Sequence, residues 1–144
     1  MIIDGRCHCG DVAFTLDWPE SAPEIVAREC GCSFCRKHGG VWTSHRDASL
    51  LVTLAHPQAV SRYRFGTETA VFYVCGRCGA VPLVVSEIEG HVHAVVNVNT
   101  FESLDPSQLR REPARFDAED RAARLARRQK HWIADVRISS ASAG

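Results

Sequence analysis

The sequence predicts a mainly β domain of antiparallel strands with a helix near its C-terminal end. Three observations carry this: apolar residues alternate through short runs over the first two-thirds of the chain, turn residues separate those runs, and helical periodicity begins only near Asp117.

Val12, Phe14 and Leu16 fall on one face of the first clear strand, with Ala13 and Thr15 on the other. Residues 18–23, with two prolines, then break the pattern into a loop. Strands are expected at 25–28, 50–54, 60–65, 69–74, 81–86 and 91–98, and Pro82 marks one of them as an edge or interrupted strand. Asp105 offers an N-cap with Pro106 in the first helical position. A longer helix is expected from Asp117, with Asp117/Arg121 and Asp120/Arg124 spaced as ion pairs. Its stripe of Ala118, Ala122, Leu125, Ala126 and Trp132 is expected to lie on the sheet. Residues 110–131 carry eight basic and four acidic groups, which reads as a solvated basic face more readily than as an anion-binding one. The 144 residues suffice for one domain, expected over 1–138, with 139–144 a disordered tail.

Seventeen Lys and Arg are balanced by seventeen Asp and Glu, which argues against bulk capture of nucleic acid or of an anionic membrane. No apolar run approaches the ~18–20 residues of a membrane span. The first residues lack the basic start and apolar core of a signal peptide, so a cytoplasmic location is expected.

The seven cysteines form three tight groups: Cys7/Cys9, Cys30/Cys32/Cys35 and Cys75/Cys78. In a reducing compartment, thiolates so closely spaced read as metal ligands rather than disulfides. Cys75-Gly76-Arg77-Cys78-Gly79 has the form of a knuckle, whose glycines permit the turn, and it needs two further ligands. Cys7 and Cys9 supply them, giving a closed structural zinc. Cys30, Cys32 and Cys35 remain as a loop tripod with one open position, the pattern of a catalytic zinc. Two alternatives stay open for the tripod: a second structural zinc closed by His38 or His45, and a metal-free dithiol of Cys32 and Cys35. Arg36, Lys37 and His38 follow directly, where positive charge favours thiolates and attracts an anionic ligand. His91 and His93 sit far from the cysteines in sequence and read as ordinary satisfied or exposed histidines.

Residues 5–12, 30–37, 63–67 and 72–79, three of these stretches holding the cysteine motifs, resemble the glutathione-dependent formaldehyde-activating (GFA) or centromere-protein-V-like family. Where that family usually has Cys-His-Cys, this chain has Cys30-Gly31-Cys32. The resemblance implies a β-tent-like fold of several coiled sheets stapled by zinc. It implies a structural zinc on Cys7, Cys9, Cys75 and Cys78, and a second on Cys30, Cys32 and Cys35.

With the open tripod, the resemblance implies a carbon–sulfur lyase or synthase acting on a thiol adduct such as S-hydroxymethylglutathione. Cys30, Cys32 and Cys35 would be the catalytic centre, and Arg36 or Lys37 would pair a carboxylate of the bound thiol. The competing expectation is a non-catalytic zinc module that binds a thiol, a protein or a nucleic acid.

Overall fold

The computed structural model describes residues 1–140. Their eleven strands form two sheets. The smaller runs in the order β1 (Ile2–Arg6), β2 (Val12–Asp17), β5 (Ser49–Leu54), β11 (Asp135–Ser140). The larger runs β10 (Arg110–Ala114), β3 (Val26–Cys30), β4 (Val41–Thr43), β9 (His91–Asn97), β8 (Leu83–Ile88), β7 (Val71–Cys75), β6 (Val60–Tyr63). Pairing is antiparallel except at two edges, where β10 lies parallel to β3 and β11 parallel to β5. Both exceptions come from the C-terminal third. Strand β10, with Pro113 within it, is tolerated because it occupies an edge.

The alternation in β2 places Val12, Phe14 and Leu16 in a core shared by both sheets. Strands β8 and β9 are different, because both of their faces are covered. Leu83, Val85, Ala94 and Val96 point into that core, while Val84 and Val95 join a second cluster with Cys35, Trp42, Phe72 and Trp132. A strand buried on both faces carries a near-continuous apolar run. Pro82 therefore does not mark an edge: it precedes β8, which lies between β7 and β9, and its carbonyl accepts from Asn97 at 2.8 Å.

The C-terminal region departs most from expectation. Asp105 caps only a single 3-10 turn, Pro106–Gln108, before the chain extends into β10. The last helix, α2 (Arg121–His131), starts after Asp120 rather than at Asp117, because the Asp120 carboxylate accepts from the Ala123 N–H at 2.8 Å. Neither expected i,i+4 ion pair forms; Glu119 instead binds Arg127 at 3.0 Å. The alanine stripe does not face the sheet either. Ala118, Ala122 and Ala126 are exposed, and the inward side carries Arg124, Leu125, Arg127 and Arg128. Arg128 is only 7% exposed, so this face is not simply a solvated one. Ser139 and Ser140 belong to β11 rather than to a tail, and residues 141–144 lie outside the described residues. Among the described residues no helix is long and apolar enough to cross a membrane.

Candidate metal centres

Cys7, Cys9, Cys75 and Cys78 converge, with all four sulfurs within 4.8 Å of one another. Cys7 and Cys9 lie on the turn from β1 to β2, whereas Cys75 ends β7 and Cys78 follows it, so the cluster joins the two sheets. The Cys9–Cys75 and Cys7–Cys9 sulfur separations are 3.5 and 3.7 Å. A tetrahedral thiolate centre with bonds of about 2.3 Å has edges of about 3.8 Å, so the four thiols fit a metal ion. The two glycines of the knuckle act differently. Gly79 has φ +82°, the left-handed region that glycine alone enters freely. Gly76 is needed for space: a Cβ there would stand 2.1 Å from the Ala59 carbonyl oxygen, to which the Gly76 N–H donates at 2.8 Å. Burial pushes the Cys7 thiol up to about 12, while at Cys78 burial is opposed by backbone hydrogen bonds with Ala80 and Cys9 and side-chain hydrogen bonds with Cys75 and Cys7, which together bring it down to about 6. Protons shared this unevenly are displaced when a metal binds.

Sequence reasoning passed over Asp11, which ties the same corner together. It is 7% exposed, and its carboxylate accepts from Arg77 of the knuckle at 3.3 Å and faces His56 Nδ1 at 3.2 Å. A charged residue between Gly10 and Val12 at a strand start, with Arg77 inside the knuckle, was the available signal.

Cys30, Cys32 and Cys35 form the second convergent group. They do not sit on one loop. Cys30 ends β3, Cys32 caps the helix α1 (Ser33–His38) by accepting from the Cys35 N–H at 3.3 Å, and Cys35 lies within α1. Gly39, at φ +76°, closes that helix. The Trp42 indole N–H donates to the Cys35 sulfur at 3.3 Å, and Phe34 anchors the helix against Tyr63 and Phe72, each 4.9 Å away. The hydrogen bond shared with Cys35 is the main cause that brings the Cys30 thiol down to about 6, against burial; the same bond, with burial, pushes Cys35 up.

No fourth donor closes this group among the described residues. His45 packs on Trp18 and accepts from the Asp47 N–H. His38 stacks on Phe34 with its Nε2 buried and unpartnered, and burial lowers its pKa. The three thiols line a cavity of about 810 Å³ walled by Trp42, Phe65, Phe72 and Trp132 and, on the α2 side, by arginines. Arg36 and Lys37 are exposed and do not line it; Arg28, Arg124, Arg127 and Arg128 do. His91 and His93 bond to carbonyls of Ala134 and His91 and join neither cluster.

No curated protein sequence matches the chain. Among solved structures, a crystal structure of a Rhodobacter sphaeroides protein is similar. It is 26% identical, with a TM-score of 0.53, over 76% of this chain and 99% of that one. The model of the glutathione-dependent formaldehyde-activating enzyme family matches residues 2–117, a stretch that holds all seven cysteines and both clusters. With most of its length so matched, the chain belongs to the glutathione-dependent formaldehyde-activating family.

Proposed function

We propose that this protein is a zinc-dependent carbon–sulfur lyase or synthase that makes and breaks the adduct of a small thiol, glutathione foremost, with formaldehyde or a similar aldehyde. The observation that carries this reading is a three-thiol group to which the described residues supply no fourth donor, set in the wall of a cavity of small-molecule size. Zinc bound by three thiolates keeps one tetrahedral position for an incoming thiol and favours its deprotonated, nucleophilic form.

The chain's own residues supply the rest. Cys30, Cys32 and Cys35 would hold the ion, with the Trp42 N–H fixing the orientation of Cys35. Phe65, Phe72 and Trp132 give the cavity apolar walls that limit water at the reacting atoms. In the synthetic direction the thiol sulfur bonds to the aldehyde carbon, the carbonyl π pair moves to oxygen, and the proton lost by the thiol ends on that oxygen. The lyase direction is the reverse. The four-cysteine cluster would carry a structural zinc and take no part in this chemistry. The single domain and cytoplasmic location belong to the same proposal, as does a carboxylate-pairing role for a basic residue near the tripod. Arg36 and Lys37 are exposed and absent from the cavity's lining, which favours the lining arginines for that role.

The test is exchange spectroscopy on carbon-13 formaldehyde with glutathione. Catalytic amounts of zinc-loaded protein should accelerate interconversion of formaldehyde hydrate and adduct, and Cys32→Ser should abolish the acceleration. Glutathione binding without acceleration would replace the enzyme with a non-catalytic zinc module; neither binding nor acceleration would overturn both readings.

A further inference from the structure

We infer that α2 carries a carboxylate subsite, centred on Arg128 with Arg124 beside it, which makes the cavity selective for thiols that bear a carboxylate. This rests on the reading of the cavity as a thiol site and adds an element outside the family's own stretch. The family match ends at residue 117, and α2 begins at Arg121.

Arg128 is a buried cation that forms no ion pair among the described residues. It is 7% exposed, and its partners are neutral: Nη1 donates to Thr69 Oγ1 at 2.8 Å and to Ser86 Oγ at 3.2 Å, and the guanidinium lies 5.0 Å from the Trp132 ring centre. Glu119 is engaged through both oxygens by Arg127, at 3.0 Å. Removing a guanidinium from water without an anion is costly, and a bound carboxylate relieves that cost. Burial, followed by the charges of Arg127 and Arg124, lowers Arg128 to about 10, consistent with the missing anion.

The hydrogen-bond inventory points the same way. The Nε atoms of Arg128 and Arg124 are both buried and without an acceptor among the described residues. With Nη1 of Arg128 taken by the two hydroxyls, Nη2 remains to donate a charge-assisted hydrogen bond to a carboxylate. The lining holds four arginines against two carboxylates, and it also contains Cys30, Cys32 and Cys35. One small molecule can therefore place its sulfur and its carboxylate in the same cavity. A rival role is counter-charge for the thiolates, but the guanidinium whose charge acts on Cys30 is that of Arg127.

The experiment compares two thiols of equal length, 3-mercaptopropionate and 3-mercapto-1-propanol, on zinc-loaded full-length protein, read through tryptophan fluorescence and calorimetry. The wild type should bind the carboxylate roughly tenfold or more tightly. Arg128→Gln should bring the two within about twofold while leaving the alcohol's affinity and the zinc content unchanged; Arg124→Gln, a less buried change, should reduce the preference if Arg128→Gln fails to fold. Equal binding by the wild type, a preference that survives these variants, or loss of zinc in their place overturns the subsite. A third probe, 3-(methylthio)propionate, presents the carboxylate without a thiol. Arginine-dependent binding of it alone would retain the subsite and overturn the open thiol site; binding of none of the three overturns both.

Discussion

Replacing Cys78 by serine should cost more stability than replacing Cys32, although both remove one ligand from a metal cluster. Cys78 is half-buried, so little packing is lost and the change acts through the metal. The first cluster bridges positions as distant as Cys9 and Cys75, 66 residues apart and on different sheets. Treated as a cross-link, a loop of that length removes about 4 kcal/mol of unfolded-state entropy. The second cluster closes only the short stretch from Cys30 to Cys35, for which the same relation gives about 2 kcal/mol. For a chain of this size each kcal/mol moves Tm by roughly 2–4 °C. Zinc-loaded Cys78→Ser should therefore melt about 8–16 °C below the wild type, and Cys32→Ser about 4–8 °C below. Circular dichroism melts, paired with metal analysis showing about one zinc lost from each variant, provide the measurement. A Cys32→Ser protein that melts at or below Cys78→Ser would refute the assignment of the long-range staple to the four-cysteine cluster.

Trp42→Phe removes the one indole donor to Cys35 while keeping an aromatic ring in the second core, so it should lower zinc affinity at the three-cysteine group about tenfold, measured by chelator competition, with zinc at the other cluster unchanged. His93 is buried, and burial is the main cause that sets its pKa below the ordinary 6.5. Below pH 6.5 the unfolded chain thus binds the proton first, so its contribution is complete above that value and is lost as pH falls through the folded pKa. In urea titrations at saturating zinc, the wild type should lose more stability between pH 7.5 and 5.5 than His93→Phe; equal losses would show that His93 is not the group responsible.

Both cysteine clusters were legible because ligand spacing is local: one or two residues between neighbouring thiols carry the signal without any knowledge of the fold. The β2 alternation was legible for a similar reason, since one face of that strand meets one core. Of the two readings of Pro82, the edge failed because a strand's neighbours are set by pairings distant in sequence, whereas the strand expected over 81–86 does begin only after Pro82, at Leu83. Strands β10 and β11 were invisible on the same ground. Arg110–Ala114 is charged and holds a proline, and only its parallel register with β3 makes it a strand. The α2 face was misread for another reason. Alanines at helical spacing look like a core stripe, yet this helix covers a cavity beside thiols and turns its long arginine stems inward, where their methylenes pack and their heads meet hydroxyls and rings. The carboxylate role was expected of Arg36 and Lys37 because they follow the tripod in sequence, whereas the basic residues that line the cavity are Arg28 before the tripod and Arg124, Arg127 and Arg128 about ninety positions after it.

That separation along the chain bears on how such a protein diversifies. Every thiol precedes residue 80, and three of the four cavity arginines follow residue 120. The later segment reaches the cavity through β10, an edge strand joined to β3 beside Cys30, with the Gly31 N–H donating to the Ala114 carbonyl at 2.9 Å. On the proposed function, substitutions confined to the cavity face of α2 would change which molecules enter without altering any of the seven cysteines. Selectivity and reactivity would then sit on different stretches of the chain, so relatives with identical cysteine signatures but unrelated tails would be grouped by their tails when substrates are assigned.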